Sequence, residues 1–277
     1  MKIKFLGTGA ASGTPAIFCR CSICESARKF KDKEIRSRSG MLIDEKLMID
    51  FSADSFYHSL QYGFDMTAVE TIVFTHSHAD HFYPDDMLER TIFCSQNRTS
   101  DVLTLYGGKE VNEWFENNQW FQASQEVKRN LKICRLELNK PFEASGYEII
   151  PLQANHMQKE ECYIFLVKQD GKTYLHMTDS DIPPENVFEY LQANKIRLDA
   201  LTMDCTYGLL VNNFGGHMDF RKNEIVKSRL EEIGAVDRDT KIYISHISHN
   251  AGSYEDLNRK AESLGMIAAY DGLEVEI

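Results

Sequence analysis

Apolar and polar residues alternate from the start. Lys2–Leu6 runs Lys-Ile-Lys-Phe-Leu and is closed by Gly7 and Gly9, the period-two signature of a strand entering a loop. Met41–Asp44 and Leu47–Asp50 flank Glu45-Lys46 and predict a tight hairpin. Thr71–Thr75 (TIVFT) is short and apolar, the pattern of a strand buried on both faces. Val102–Tyr106 and Leu131–Leu138 continue the series. Between them, Val111, Trp114, Phe115 and Trp120 fall near helical spacing and predict one helix over Glu110–Val127.

The second half repeats this style without repeating the sequence. Tyr147–Leu152 reads as a strand, and Cys162–Lys168 with Lys172–Met177 as a hairpin around Asp170-Gly171. Pro183-Pro184 opens a helix to Asn194, since proline suits the first helical turn. Strands Leu201–Asp204 and Lys241–Ser245 are separated by an amphipathic helix over Arg221–Ile233. A helix over Tyr254–Leu264 precedes a closing hairpin around Asp271-Gly272. Many strands with interspersed helices indicate a layered α/β protein. No linker is visible, so one domain over 1–277 is expected.

The formal charge of −11 and the lack of a dense basic run argue against binding nucleic acid or an anionic membrane. No apolar stretch approaches the ~20 residues that span a bilayer, and no signal-peptide pattern opens the chain, so a cytoplasmic location is expected. The seven cysteines should then be thiols or metal ligands rather than disulfides.

The strongest chemical signal is His76-Ser77-His78-Ala79-Asp80-His81, directly after the TIVFT strand. Three imidazoles and a carboxylate leaving a buried strand end are costly without a cation. Alternate residues of an extended turn point the same way, so His76 and His78 can share one metal while Asp80 and His81 face a second position. That donor mixture suits Zn²⁺, Mn²⁺ or Fe²⁺. Cys19, Cys21 and Cys24 form a second cluster and can supply three legs of a tetrahedral zinc site that needs a fourth. Disulfide pairing or redox chemistry are the alternatives. Cys94, Cys134, Cys162 and Cys205 sit among apolar residues and read as small core side chains, and His58 and His176 as structural. Gly7-Thr8-Gly9 follows a strand, but Ser12 stands where a dinucleotide fingerprint needs its third glycine, and a Cys-rich loop rather than a helix follows. Arg36 and Arg38 could meet a phosphate, but read better as a solvated charged stretch.

The HSHADH stretch resembles the HxHxDH signature of the metallo-β-lactamase superfamily, whose fold is a four-layered αβ/βα sandwich. The resemblance implies that His156, in ANHMQKEECYIF, completes site one with His76 and His78. It implies that Asp179, in LHMTDSD, bridges two divalent metal ions (Zn or Mn), and that His246, in IYISHISH, joins Asp80 and His81 at site two. Within the superfamily the chain is similar to PhnP-type phosphodiesterases, which split cyclic phosphates of phosphoribose. These carry a Cys-x-Cys-x-x-Cys loop and a histidine three residues after the last active-site histidine. That likeness adds His249 to Cys19, Cys21 and Cys24 as a structural zinc site, a feature shared with relatives serving pyrroloquinoline quinone biosynthesis.

The activity implied is hydrolysis of a small cyclic phosphate ester (phosphoribosyl 1,2-cyclic phosphate type) by a metal-bound hydroxide, with Asp80 helping to orient it. His217, in NFGGHMD, is the candidate general acid or a phosphate-binding residue. A tRNase Z-like RNA 3′-processing nuclease and a non-hydrolytic accessory protein of cofactor biosynthesis are the alternatives. A small phosphate-ester substrate is the expected partner, without nucleic acid or membrane, and homodimer formation is left open.

Overall fold

Strands in this chain bury both faces, and their alternating side chains divide between different cores. In β1 (Lys2–Gly7), Ile3 and Phe5 join one cluster and Leu6 another. The same division recurs in β2 (Gly40–Ile43), β3 (Leu47–Ile49) and β4 (Thr71–Val73). The computed structural model describes residues 1–277. With β5 (Leu103–Gly107), β6 (Leu131–Arg135) and β14 (Glu274–Glu276), these strands form a seven-stranded sheet in the order β14-β1-β2-β3-β4-β5-β6.

The second sheet is built from β7 (Phe142–Ala144), β8 (Tyr147–Gln153), β9 (Tyr163–Gln169), β10 (Lys172–Met177), β11 (Ala200–Asp204), β12 (Lys241–Ser245) and β13 (Ile267–Ala268). Its order is β13-β12-β11-β10-β9-β8-β7. Phe165, Val167, Tyr174 and Tyr243 of this sheet pack against Ile3, Phe5, Met41 and Ile49 of the first. The opposite face of the second sheet packs on α6 (Glu185–Ala193), α7 (Phe220–Glu232) and α8 (Tyr254–Ser263) through Phe188, Leu191, Val226, Leu230 and Leu257. The outer face of the first sheet is covered by α3 (Lys109–Asn117), α4 (Gln119–Ala123) and α5 (Gln125–Asn130) through Val111, Phe115, Phe121 and Val127. Helix, sheet, sheet, helix is the four-layered αβ/βα sandwich. Strands β3 to β6 run parallel, as do β10 to β13, so several carboxyl ends open on one edge.

Several local expectations change. The single helix over Glu110–Val127 is three short helices, because Asn118 and Ser124 each adopt extended backbone and cap the next helix with their side chains. No closing hairpin forms around Asp271-Gly272: β13 adds to the second sheet and β14 pairs with β1 in the first, so the turn crosses between sheets. A helix does follow the cysteine loop, α1 (Ser22–Phe30), with Cys24 in its first turn. The helix α2 (Ser55–Tyr62) carried no strong periodic signal.

Arg36 is buried rather than solvated. Its guanidinium donates to Thr8 Oγ1 and the Ala269 carbonyl, 2.7 and 2.8 Å away. Arg38 is half-buried against Asp54. Cys162 and Cys205 lie in the core, but Cys94 is exposed and Cys134 only partly covered, since each sits at the margin of its apolar neighbourhood. His58 and His176 are buried, held by Ser37 and by Tyr174 with Thr178. Gly7 allows a close approach instead of a turn: a Cβ there would lie 1.9 Å from the Arg38 carbonyl oxygen.

Candidate metal centre

Four strand ends deliver the donors. The loop after β4 carries His76, His78, Asp80 and His81, tightened by bonds from the His81 and Phe82 amides to the His78 carbonyl. His156 follows β8, Asp179 follows β10 and His246 follows β12. Asp50, Asp179 and His246 hold φ of 63°, 52° and 57°, in the left-handed region that costs such residues about 1–3 kcal/mol. Strain of that size persists where the surroundings fix the chain direction, and here each kink turns a side chain into the same space.

The donors fall into two sets. His76, His78, His156 and Asp179 form one, and Asp80, His81, Asp179 and His246 the other, so Asp179 belongs to both. Asp179 Oδ2 lies 3.2 Å from His76 Nε2, 3.0 Å from His81 Nε2 and 3.6 Å from His156 Nε2. His76 Nε2 and Asp179 Oδ1 are fully buried without a well-formed hydrogen bond of their own: the first has only Asp179 Oδ2 near it, and the second shares His217 Nδ1 with Asp204. Polar atoms are rarely left in that condition without a ligand to satisfy them. His81 Nε2 and His246 Nε2 stand 3.2 Å apart, where two N–H groups cannot face each other. A cation would remove the conflict by taking the place of the protons that the surrounding carboxylates otherwise keep on both rings. The donor chemistry therefore fits two divalent ions.

A second layer orients the rings. Asp50 Oδ2 lies 2.6 Å from His81 Nδ1, while Thr75 Oγ1 lies 3.0 Å from His76 Nδ1. The Gly216 carbonyl accepts from His156 Nδ1 at 3.0 Å, and Glu160 binds the Ser77 amide 3.6 Å from His78 Nε2. Such partners fix the ring face and tautomer presented to a metal. Burial and the neighbouring His81 lower His76 to about 4, so its ring is neutral and ready to ligate. Burial opposes charge on His81 and on Asp179, but Asp50 outweighs it on the first and His246, with His217, on the second. His81 is held well above its ordinary range and Asp179 well below.

Asp204 and His217 extend the site. His217 Nδ1 lies 2.9 Å from Asp179 Oδ1 and 3.1 Å from Asp204 Oδ2, and Thr206 bridges Asp204 to His246. Burial disfavours charge on the His217 ring, but Asp204 and Asp179 raise it to about 11. His217, Asp80, His156 and His246 line a cavity of about 570 Å³, floored in part by Ala10, Ala11 and Ser12. Asp50, Asp204 and Glu160 were missed because each is a lone acid after a strand or in a loop. Asp50 and Asp204 each left a faint signal as the last residue of a predicted strand.

The second donor cluster lies beside the first. Cys21 Sγ and Cys24 Sγ are 3.6 and 3.5 Å from His249 Nδ1, and Cys19 completes the group. Burial raises both thiols, but the bond from Cys24 and the nearby His249 bring Cys21 down to about 6, while Cys24 is pushed up to about 11. Three soft sulfurs and an imbalance favouring a thiolate suit a structural zinc ion.

Residues 48–247 match the family described as the beta-lactamase superfamily domain, a span containing every donor of the two shared sets. The chain belongs to the metallo-β-lactamase superfamily. Its metal-dependent hydrolase relatives share the whole fold. A diphosphatase from the PhnP family is 24% identical, with a TM-score of 0.73 over 100% of this chain and 97% of that one. Zn²⁺-bound PqqB from Methylobacterium extorquens is 19% identical, with a TM-score of 0.75 and full coverage of both chains. The short form of human tRNase Z is 14% identical, with a TM-score of 0.65 over 100% and 99% of the two chains. Among curated sequences, an octanoyltransferase of Porphyromonas gingivalis is 23% identical over 282 residues. The chain spans about half of that relative, 52% of its length. No helix is long and apolar enough to cross a membrane.

Proposed function

We propose that the protein is a dinuclear metal-dependent phosphodiesterase that hydrolyses a small cyclic phosphate ester, with phosphoribosyl 1,2-cyclic phosphate as the type substrate. The observation that carries this reading is the pair of donor sets sharing Asp179 at a cavity that His78, Asp80, His156 and His246 line, with His217 on Asp204 beside them. In this reading His76, His78 and His156 would hold one ion and Asp80, His81 and His246 the other, with Asp179 available to both. Two such ions lower the pKa of a water and neutralise charge gathering on phosphoryl oxygens.

The chain's own groups then account for orientation and proton transfer. Asp80 accepts a hydrogen bond from the attacking water and aims it at phosphorus. As the P–O bond breaks, the leaving alkoxide takes a proton from His217 Nε2, while Nδ1–H stays on Asp204. Asp179 would be shared with the ions, leaving Asp204 as the partner that keeps the His217 ring charged and able to donate its proton. Phosphate binding by the same cationic ring precedes that transfer, so the two roles envisaged for His217 follow one another. The neighbouring PhnP-family diphosphatase supports phosphate chemistry, and the human tRNase Z neighbour keeps RNA processing as the second reading. The charge of −11 counts against the latter.

The test is turnover of bis(p-nitrophenyl) phosphate by protein loaded with Mn²⁺ or Zn²⁺, beside an Asp80→Ala control. Turnover abolished in the control is the expected result. No turnover with two ions bound would overturn the reading in favour of a non-phosphate ester or an accessory role.

A further inference from the structure

A second cavity, of about 700 Å³, shares no lining residue with the one at the metal centre. It lies beside α2 against the outer face of the first sheet, where Phe51, Met87 and Leu103 belong to that face's core. Phe56 of α2 and Met66 complete its apolar walls. A volume of this size suits a small molecule.

One charged group of the lining is buried. Arg90 is 8% exposed, and of its guanidinium nitrogens Nη2 alone is hydrogen-bonded, to the carbonyls of Ser100 and Asp101 at 2.8 and 3.4 Å. Its Nε is fully buried without a partner, and no carboxylate pairs with the group. Burial, and after it the nearby Arg98, pull the Arg90 pKa down to about 10. A buried cation without a counter-ion is destabilising, and an anion brought to it relieves that penalty.

The other charged side chains of the lining, Asp86 and Glu89, are exposed, so solvent screens them. Phe56 is 67% exposed, an aromatic ring open to water beside an apolar cleft, the mark of a surface that ligand covers.

We infer that this cavity binds a carboxylic acid with an apolar tail, its carboxylate on Arg90 and its tail along Phe51, Phe56, Met66, Met87 and Leu103. The head group carries one charge, because a single cation receives it and two acidic side chains stand at the same cavity. The site is separate from the metal centre, and its occupant does not meet the reacting atoms.

The test is calorimetric titration of the metal-loaded protein with decanoate, beside octanoate and decan-1-ol. Decanoate should bind at one site per chain. Octanoate, shorter by two methylenes, should bind about tenfold more weakly. Decan-1-ol, which lacks the charge, should bind about 10–100-fold more weakly. Arg90→Gln should bring decanoate down to the level of the alcohol and leave the alcohol unmoved, whereas a structural role for Arg90 would weaken both alike and overturn the inference. Phe56→Asp, at an exposed position that the fold does not depend on, is the second arm and should weaken decanoate at least about tenfold. Unaltered decanoate affinity in Phe56→Asp would overturn the inference by placing the carboxylate elsewhere, the metal centre included. So would equal affinity for acid and alcohol, or no saturable binding below about 1 mM.

Discussion

The two donor clusters sit on the same strand end and are built in opposite ways. His246 and His249 are three residues apart, yet one belongs to the His/Asp centre and the other to the Cys/His group. The His/Asp centre is mostly buried, with His78 and His156 reaching its open side, and is drawn from four strand ends. The rings of His76, His81, His156 and His246 are fixed by a carboxylate, hydroxyl or carbonyl behind them. The Cys/His group has two partly exposed cysteines on a loop and one buried on a helix. Its sulfurs are backed by backbone amides alone, those of Ala16 on Cys24 and of Cys21 on Cys19. A centre that must present open coordination positions to a substrate needs its donors held from behind. A closed tetrahedral site needs only enough sulfur, because the ion itself organises the loop. Chemistry and scaffolding are thus separated by three residues of one loop, His246 serving the first and His249 the second.

The sharpest way to break that separation is to remove the residue common to both halves of the His/Asp centre. Asp179→Ala should lower aryl phosphodiester turnover on the order of 10³-fold, as expected for losing a preorganised charge at the reacting group. Zinc in the Cys/His group should persist, read as residual bound metal per chain. Loss of both metals together would mean that the clusters are not separable.

One layer back, Asp50→Ala leaves every ligand in place and should weaken metal affinity about 10–100-fold, by freeing His81 Nδ1. A metal titration followed by activity checks this, and unchanged affinity would show that Thr75 alone can set the ring.

At the other cluster, His249→Ala should remove one tightly held zinc and lower Tm by about 9 °C, roughly 5 kcal/mol for a chain of this length. The dinuclear pair and its activity should be spared to within a few-fold. The same zinc count in mutant and parent would make the four-ligand site wrong. Smallest of all, Cys94→Ser touches neither cluster and is exposed, so stability should stay within about 0.5 kcal/mol. A larger shift would show that an isolated thiol matters where the Cys/His geometry says it should not.

Much of this architecture was legible because burial on both strand faces writes itself into the sequence. TIVFT and the Asp170-Gly171 hairpin were readable for that reason, and both lie next to donor residues. The HSHADH and FCRCSIC clusters stood out because their donors are dense in sequence. Asp204 and Glu160 could not be singled out, since a single acid at a strand end or in a loop looks the same whether it caps a turn or supports a ligand. The helix run after β5 was misjudged because Asn118 and Ser124 interrupt it with capping bonds that apolar spacing does not register. Arg36 was misread for a related cause. Its partners Thr8 and Ala269 are distant in sequence, and charge alone predicts solvent.

The contact between Cys24 and His249 joins positions 225 residues apart. An ion held there closes a ring containing most of the chain, and withholding that ring's freedom from the unfolded ensemble is worth about 5 kcal/mol by chain-entropy reasoning. It also orders events in time. Cys19, Cys21 and Cys24 emerge early, but their fourth partner is made only after β12 has been synthesised. Metal capture at that corner is thus a closing step of folding, and a chain stalled before it should be open to proteases at the cysteine loop while both sheets are largely formed.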